Sequence, residues 1–488
     1  MPALLEMDTA KPVSFCVRVS AALARTACSL PTASAQFAKH LRAAVREPMI
    51  AAIALIWLIF AAGVYVPDVG RGFIKDDFRW VLDGVAAFDH PANLFVSGWT
   101  GNFFRPMVAL SFGLDHAAYG LWARGYGFTN LALYVACVLA VYAVLRQLGI
   151  SPVAAAGGAF AWAVNPTGLD MAVLWLSGRT SLLMTLFSCT AITLFLRGNR
   201  YWATLFFAAA LFSKEDAFAV PLIVVGGRWW RGTSARTWRA DLALMTIVIA
   251  GYLTMRSHTQ AITIANAPDF YRLTWNPLVL TINGLHYLDR AGTSTAVLLV
   301  LTVIAYGAQP DWRQVKATGL LELACVWFIA GLFITIAVPV RSSLYSVFPS
   351  VAAAMAYATV FDTLRREPQR ASGDRWILVV YASVLFLIPV YGIRNDRWVE
   401  PARVSTRAMN VVRSLPAAVA DTSTIVFDDE PVRFSNFATS LGGVEAPALK
   451  LFTGRELHGY VAAPGVTISS LQSGSFALRL THGQVSWE

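Results

Sequence analysis

The chain has 488 residues, of which 56% are hydrophobic and 14% charged, against roughly 45–50% apolar and about 25% charged in soluble domains. That balance excludes a disordered protein, a coiled coil and an ordinary soluble enzyme of this length. The formal charge of +10 fits basic loops and lipid head groups on a polytopic chain, so membrane lipids are expected partners and nucleic acid is not.

Residues 1–47 read as a cytoplasmic N-terminal tail. The triplet Ala33-Ser34-Ala35 resembles a signal-peptidase site, but Arg18 and Arg25 interrupt the apolar stretch before it. A spanning helix needs ~20 mostly apolar residues, and apolar runs centre on 48–66, 128–146, 152–166, 181–196, 201–213, 216–227, 241–255, 292–308, 318–338, 345–361 and 376–393. The expected fold is an all-α polytopic bundle of about 11 transmembrane helices over 48–393. Several runs are short: one ends at Asn165-Pro166, and Ser213-Lys214-Glu215-Asp216 separates two others. Arg146, Arg197, Arg200, Arg228, Arg231, Arg236, Arg239, Arg313, Lys316, Arg365, Arg366, Arg370 and Arg375 fall in alternate short loops, which places those loops inside. Segments 67–127, 166–180, Ser213–Asp216, 256–291, 339–344 and the C-terminal region are then extracytoplasmic. Residues 394–488 carry strand-like stretches at Thr424-Ile425-Val426-Phe427 and Val466-Thr467-Ile468, with turn signals at Asp428-Asp429, Gly442-Gly443 and Pro464-Gly465. They read as a small extracytoplasmic α/β region. Cys16, Cys28, Cys137, Cys189 and Cys325 form no CxxC pair, so neither a disulfide framework nor a zinc site is expected.

The scarce outside charges gather in short motifs. Phe73-Ile74-Lys75-Asp76-Asp77-Phe78-Arg79-Trp80 follows the first span. An adjacent carboxylate pair beyond a membrane helix is either a solvated loop or N-cap, or a catalytic base or metal ligand. Asn102-Phe103-Phe104-Arg105-Pro106, Ser177-Gly178-Arg179, Ser213-Lys214-Glu215-Asp216 and Arg341-Ser342-Ser343-Leu344-Tyr345 follow, all on the same expected face. Each has an ordinary explanation, such as snorkelling for Arg105, a Lys214–Glu215 pair, or interfacial anchoring for Arg341. Their convergence points to a site, because ionisable groups at membrane depth are costly. Trp80, Trp99, Trp122 and Trp175 suit sugar stacking or belt anchoring equally, whereas Trp229-Trp230 and Trp238 read as an inner belt.

The order acidic pair–Trp, Phe-Arg-Pro, Gly-Arg, Ser-Lys-Glu and Arg-x-x-Leu-Tyr-x-x-Pro-Ser resembles the GT-C superfamily of polytopic glycosyltransferases, in particular protein O-mannosyltransferases and their bacterial relatives. The resemblance covers roughly residues 48–393. It implies transfer of a sugar, a mannose-like hexose favoured, from a polyprenyl-phosphate donor to an acceptor hydroxyl on protein or glycolipid. It implies catalytic roles for Asp76 and Asp77, and donor-side contacts for Arg341 and Tyr345. The chain lacks the tetratricopeptide repeats of one branch and any obvious β-trefoil insertion, which leaves the acceptor open.

Under that scheme a carboxylate takes the acceptor proton, and cations meet the leaving phosphate. Arg341 is the first choice for the phosphate, with Arg105 and Lys214 next. Glu215 and Arg179 are candidate substrate contacts. No cofactor is required; a divalent metal is supported by no Asp/Glu/His cluster beyond the acidic pair. The rival reading is a transporter or lipid-linked-sugar flippase, but the halves show no related patterns. Arginine greatly outnumbers lysine, which points to a GC-rich bacterial genome and hence to an inner membrane with a periplasmic site.

Overall fold

The computed structural model describes residues 47–94, 103–259, 261, 267–366, 370–415, 423–429, 436–462, 475–481 and 484–487. The expected tail (all but Glu47), Trp99, Asn102 and the stretches Pro464-Gly465 and Val466–Ile468 lie outside the described residues. Helix α1 (Pro48–Tyr65) leads into two helices, α2 (Asp77–Asp89) and α3 (Pro106–Tyr119), before α4 (Ala123–Gln147). Then come α5 (Pro152–Ala163), α6 (Leu169–Leu174), α7 (Arg179–Arg197), α8 (Arg200–Leu211), α9 (Val220–Trp230), α10 (Ala235–Ser257) and α11 (Pro277–Tyr306). The bundle closes with α12 (Trp312–Ala317), α13 (Leu320–Gly331), α14 (Ser350–Leu364), α15 (Arg370–Ser383) and α16 (Ile388–Arg413).

Prolines sit in the first turn of α1, α3, α5, α9, α11 and α16, where a missing N–H costs nothing. Among the described residues, seven stretches are long and apolar enough to cross a membrane, including Leu176–Arg197, Ser343–Leu364 and Gly373–Arg413. The chain is thus a polytopic membrane protein. Each of the eleven apolar runs is helical, but α5 and α13 are shorter apolar helices, and α8 and α9 have 12 and 11 residues. Twelve helical residues rise only about 18 Å, less than the ~30 Å hydrocarbon core. The α8–α9 hairpin therefore stops short, and its tip, Ser213–Asp216, is sunk into the bundle.

Among these seven stretches, those containing α7 and α14 are the most buried, and α10 is the least covered. Small residues explain the centre. A Cβ on Gly158 of α5 would stand 2.8 Å from the Ala358 Cβ and 2.9 Å from the Ala354 carbonyl of α14. In a bilayer, such close approach supplies the packing that holds helices together. Between α2 and α3 a Cβ on Gly84 would stand 2.5 Å from the Gly113 nitrogen; this crossing braces the segment that carries the acidic pair.

The C-terminal part is a four-stranded sheet with β1 (Thr424–Asp428), β2 (His458–Val461), β3 (Ser475–Thr481) and β4 (Gln484–Trp487), in the order β2-β1-β3-β4. Strand β1 runs parallel to both neighbours, and β3–β4 is antiparallel. Helices α17 (Phe437–Leu441) and α18 (Glu445–Thr453) connect β1 to β2.

Helices α2 and α3 occupy much of the first interspan segment, with Asp76 at the N-cap of α2. Two expectations need correction. Residues 277–291 of segment 256–291 are helical, since α11 starts at Pro277, with Asn276 accepting from the Leu278 N–H at 3.0 Å; this carries His286 and Arg290 onto a helix. The chain also has no break at residue 393, where the C-terminal region was expected to begin. Helix α16 continues through it to Arg413, despite an internal Pro401.

The basic turns all cap one end of the bundle. Arg231 donates to the Leu196 carbonyl at 2.9 Å and to the Gln147 carbonyl, and Arg365 pairs with Asp374 at 2.8 Å. Cations there satisfy the terminal carbonyls of helices. The opposite end is called the acidic face below.

Candidate active site

After α1 the chain passes through Lys75, the one non-glycine described residue with positive φ (51°). Its N–H donates to the Ser440 carbonyl at 2.8 Å. The C-terminal part thus holds the turn that delivers the acidic pair to the start of α2.

The two carboxylates have opposite surroundings. Asp77 is fully buried. It accepts the Ile74 N–H at 2.9 Å, the Ser177 N–H at 2.7 Å and the Ser177 hydroxyl. Burial pushes its pKa up to about 7, although those hydrogen bonds favour the charged form. Asp76 is half-buried at the N-cap and has no side-chain hydrogen bond among the described residues. Burial raises its pKa above 3.8, against the charges of Arg105, Lys75 and Arg79. Asp77 therefore ties the first interspan segment to the second, and Asp76 is the open acceptor.

Facing Asp76 is a compensated group of charges. Arg105 donates to Glu215 Oε2 through Nε (3.2 Å) and Nη2 (2.7 Å), and lies 4.3 Å over the Phe103 ring. Arg256 reaches Glu215 Oε1 at 2.8 Å and the Tyr252 hydroxyl at 2.9 Å. Burial alone would raise Glu215, but the two guanidiniums hold its pKa at about 2. Lys214 pairs with Asp216 at 2.7 Å rather than with Glu215, donates to Ser181 at 3.0 Å, and lies 4.8 Å over the Tyr345 ring. Burial lowers its pKa even so. Tyr271 sits among these groups; burial raises its pKa, and the charges of Arg105, Asp76 and Glu215 all act on it.

Beyond Tyr345 the composition changes. Tyr345 meets the buried Tyr287 ring edge-on at 6.2 Å, and the Tyr287 hydroxyl has no hydrogen-bond partner among the described residues. Arg290 lies 5.8 Å over that ring and donates to the Arg341 carbonyl at 3.1 Å. Arg341 is exposed, and its Nε donates to Asn283 at 2.8 Å. Asn283 is itself buried and donates to the Ile336 and Val338 carbonyls, which fixes the guanidinium's direction. Neither Arg290 nor Arg341 has a carboxylate partner among the described residues.

The structure thus links Asp76, Arg105, Lys214, Glu215, Tyr345 and Arg341 in one row of neighbouring groups, called the cleft wall below. It does not bring Arg179 to that wall. The Arg179 guanidinium is fully buried, paired with Asp115 at 2.6 Å, bonded to Asn130, Ser111 and the Tyr126 carbonyl, and stacked 4.1 Å from Phe112. It packs α7 against α3 and α4, which corrects its reading as a substrate contact. Trp175 stacks on Trp398 at 5.9 Å with 4° between planes, and Trp80 is buried against Phe112, so neither ring offers a sugar platform. Sequence reasoning missed Arg256, Tyr271, Asn283 and Arg290. The available signal was Arg256 itself, an arginine at the end of a span where the charge bias calls for none. No group of three His, Cys, Asp or Glu able to hold a metal occurs among the described residues.

No family model matches the sequence. Over 178 residues the chain is 29% identical to Protein O-mannosyl-transferase Tmtc1 of Drosophila melanogaster, covering 33% of this chain. It spans about a fifth (21%) of that curated relative's length. The fold is similar to ArnT from Cupriavidus metallidurans (TM-score 0.51, 12% identity, 88% of this chain and 92% of that one). It is also similar to the arabinofuranosyltransferase AftD from Mycobacteria (TM-score 0.51, 15% identity, 85% of this chain and 32% of that one).

Proposed function

We propose that this membrane protein, whose fold is that of the GT-C glycosyltransferases, moves a sugar from a polyprenyl-phosphate donor to an acceptor hydroxyl at its acidic face. The observation that carries this reading is the pairing of one open carboxylate, Asp76, with uncompensated guanidiniums farther along the same wall.

The residues suit the chemistry. Asp76 takes the proton of the acceptor hydroxyl as its oxygen bonds to the anomeric carbon. The bond from that carbon to the phosphate oxygen breaks, and its electron pair leaves on the phosphate. Arg341 and Arg290 receive that charge through their planar donor forks, and the unpartnered Tyr287 hydroxyl adds a donor. Arg105, bound to Glu215, shapes the wall near Asp76, its charge being matched within the protein. Attack opposite the phosphate inverts the anomeric centre. A mannose-like hexose is the favoured sugar, on the resemblance and on the similarity to Tmtc1; a periplasmic site in a bacterial inner membrane is the matching location.

The test is a transfer assay with full-length protein in detergent, several polyprenyl-phosphate sugars and a hydroxyl acceptor, reading release of polyprenyl phosphate. Release that is lost in Asp76→Asn with folding retained supports the reading. Full release in that variant refutes Asp76 as the base. Sugar movement across vesicles with no release refutes the transferase.

A further inference from the structure

A second cationic pocket lies on the other flank of the first interspan segment. We propose that it binds an anionic group of phosphate type at the membrane surface, as a site separate from the transfer cleft. The pocket is open on one side, has a volume of about 290 Å³ and is lined by Arg71, Arg124, Arg413, Trp122, Thr406 and Asn410 among others. It is separated from the cleft by a layer of rings, with Phe73 at 5.1 Å from Tyr126 and 6.3 Å from both Phe78 and Phe452.

Its three guanidiniums are unmatched. No carboxylate appears in the described lining, and none of the three has an ion-pair partner among the described residues. Arg71 donates to the Pro67 carbonyl, Arg124 donates to the Val66 carbonyl at 3.3 Å, and Arg413 lies 4.7 Å over the Phe452 ring. Arg71 Nε is buried with no hydrogen-bond partner among the described residues. Several other arginines on this face are matched: Arg105 and Arg256 by Glu215, Arg179 by Asp115, Arg403 by Glu400 and Arg479 by Asp428. Three like charges sharing one pocket repel, and a bound anion removes that repulsion while filling open donor forks.

The location indicates where the anion comes from. Val66 and Pro67 directly follow α1, and Arg124 is in the first turn of α4, so the pocket sits where two spans leave the bilayer. Trp122, Tyr119 and Phe128 are exposed beside it, as aromatic side chains are at membrane interfaces. A phosphodiester head group at the bilayer surface reaches the pocket without leaving the membrane. A free phosphate offers the same chemistry from solution.

Native mass spectrometry of the full chain in detergent tests this, with phosphatidylglycerol and phosphatidylcholine as probes. Wild-type protein should retain phosphatidylglycerol selectively. Arg413→Gln and, independently, Arg124→Gln should weaken that retention roughly ten- to hundredfold while eluting as folded monodisperse protein. Arg341→Gln, in the cleft, should retain it as wild type does. Displacement of the lipid by inorganic phosphate assigns the affinity to the anion alone; resistance to displacement assigns it to the lipid head group, and both support the pocket. Equal retention of the two lipids, or retention lost in Arg341→Gln and kept in both pocket variants, overturns it. The readout does not involve sugar transfer, so failure of the transferase reading leaves it standing.

Discussion

The two ends of the cleft wall differ in how their cations are balanced. At the Asp76 end, Arg105, Arg256 and Lys214 are held by Glu215 and Asp216. At the Arg341 end, two guanidiniums have only neutral partners. A buried cation with a carboxylate partner has its charge largely spent within the protein. One held by an amide keeps it for a ligand. On the proposed reading, the first end is architecture around a base, and the second is a receiver for a leaving anion.

The sharpest way to break this comparison is at the base. Asp76→Asn should lower transfer about 10²- to 10⁴-fold with little change in apparent melting temperature; equal loss in Asp77→Asn through catalysis alone would erase the distinction between the carboxylates. Next come the two classes of arginine. Arg341→Gln should raise KM for the donor roughly tenfold or more with stability unchanged, and Arg105→Gln should cost about 1.5–3 kcal/mol of stability, read by thermal unfolding in detergent. The pair Lys214–Asp216 gives a smaller effect. Lys214→Met alone should destabilise by a few kcal/mol, and adding Asp216→Leu should restore most of it, because removing both buried charges is close to neutral. A separate check on the buried carboxylate is a pH slope. The folded Asp77 has its pKa raised from 3.8 to about 7, so its stabilising contribution is complete below about 3.8 and is lost as pH rises through about 7. Apparent stability should fall across that window and flatten in Asp77→Asn. NMR of the product linkage adds a check on geometry: inversion is expected, and retention would require a covalent intermediate.

Much of the bundle was legible because its signals are local. Apolar runs and the sorting of arginines between alternate loops require no tertiary knowledge, and the acidic pair stood out in a chain so poor in charge. What the sequence concealed depends on partners distant along the chain. Nothing near Asp77 announces that Ser177, a hundred residues on, binds it, and nothing near Arg179 announces Asp115. Those two contacts separate a scaffold role from a reactive one. Asn283 was invisible for the same reason: a buried amide that aims an arginine has no pattern of its own. Segment 256–291 was misread because Asn283, His286, Asp289 and Arg290 dilute the apolar signal of α11, whose helicity is set by the Asn276–Pro277 start.

The continuity of the last helix has a mechanical side. Gly373–Arg413 runs as one helical stretch of 41 residues, and α16 alone, at 26 residues, is a rod of about 39 Å. Its lower half lies among the spans and its upper half carries the C-terminal sheet, through contacts such as Ser440 Oγ to the Pro401 carbonyl at 2.8 Å. The same Ser440 grips Lys75 from its carbonyl. Such a rod is a lever: tilting it by about 5° swings the far tip by roughly 3 Å, the span of the hydrogen bond between Ser440 and Lys75. The posture of Asp76 is thereby geared to the inclination of a helix within the bilayer.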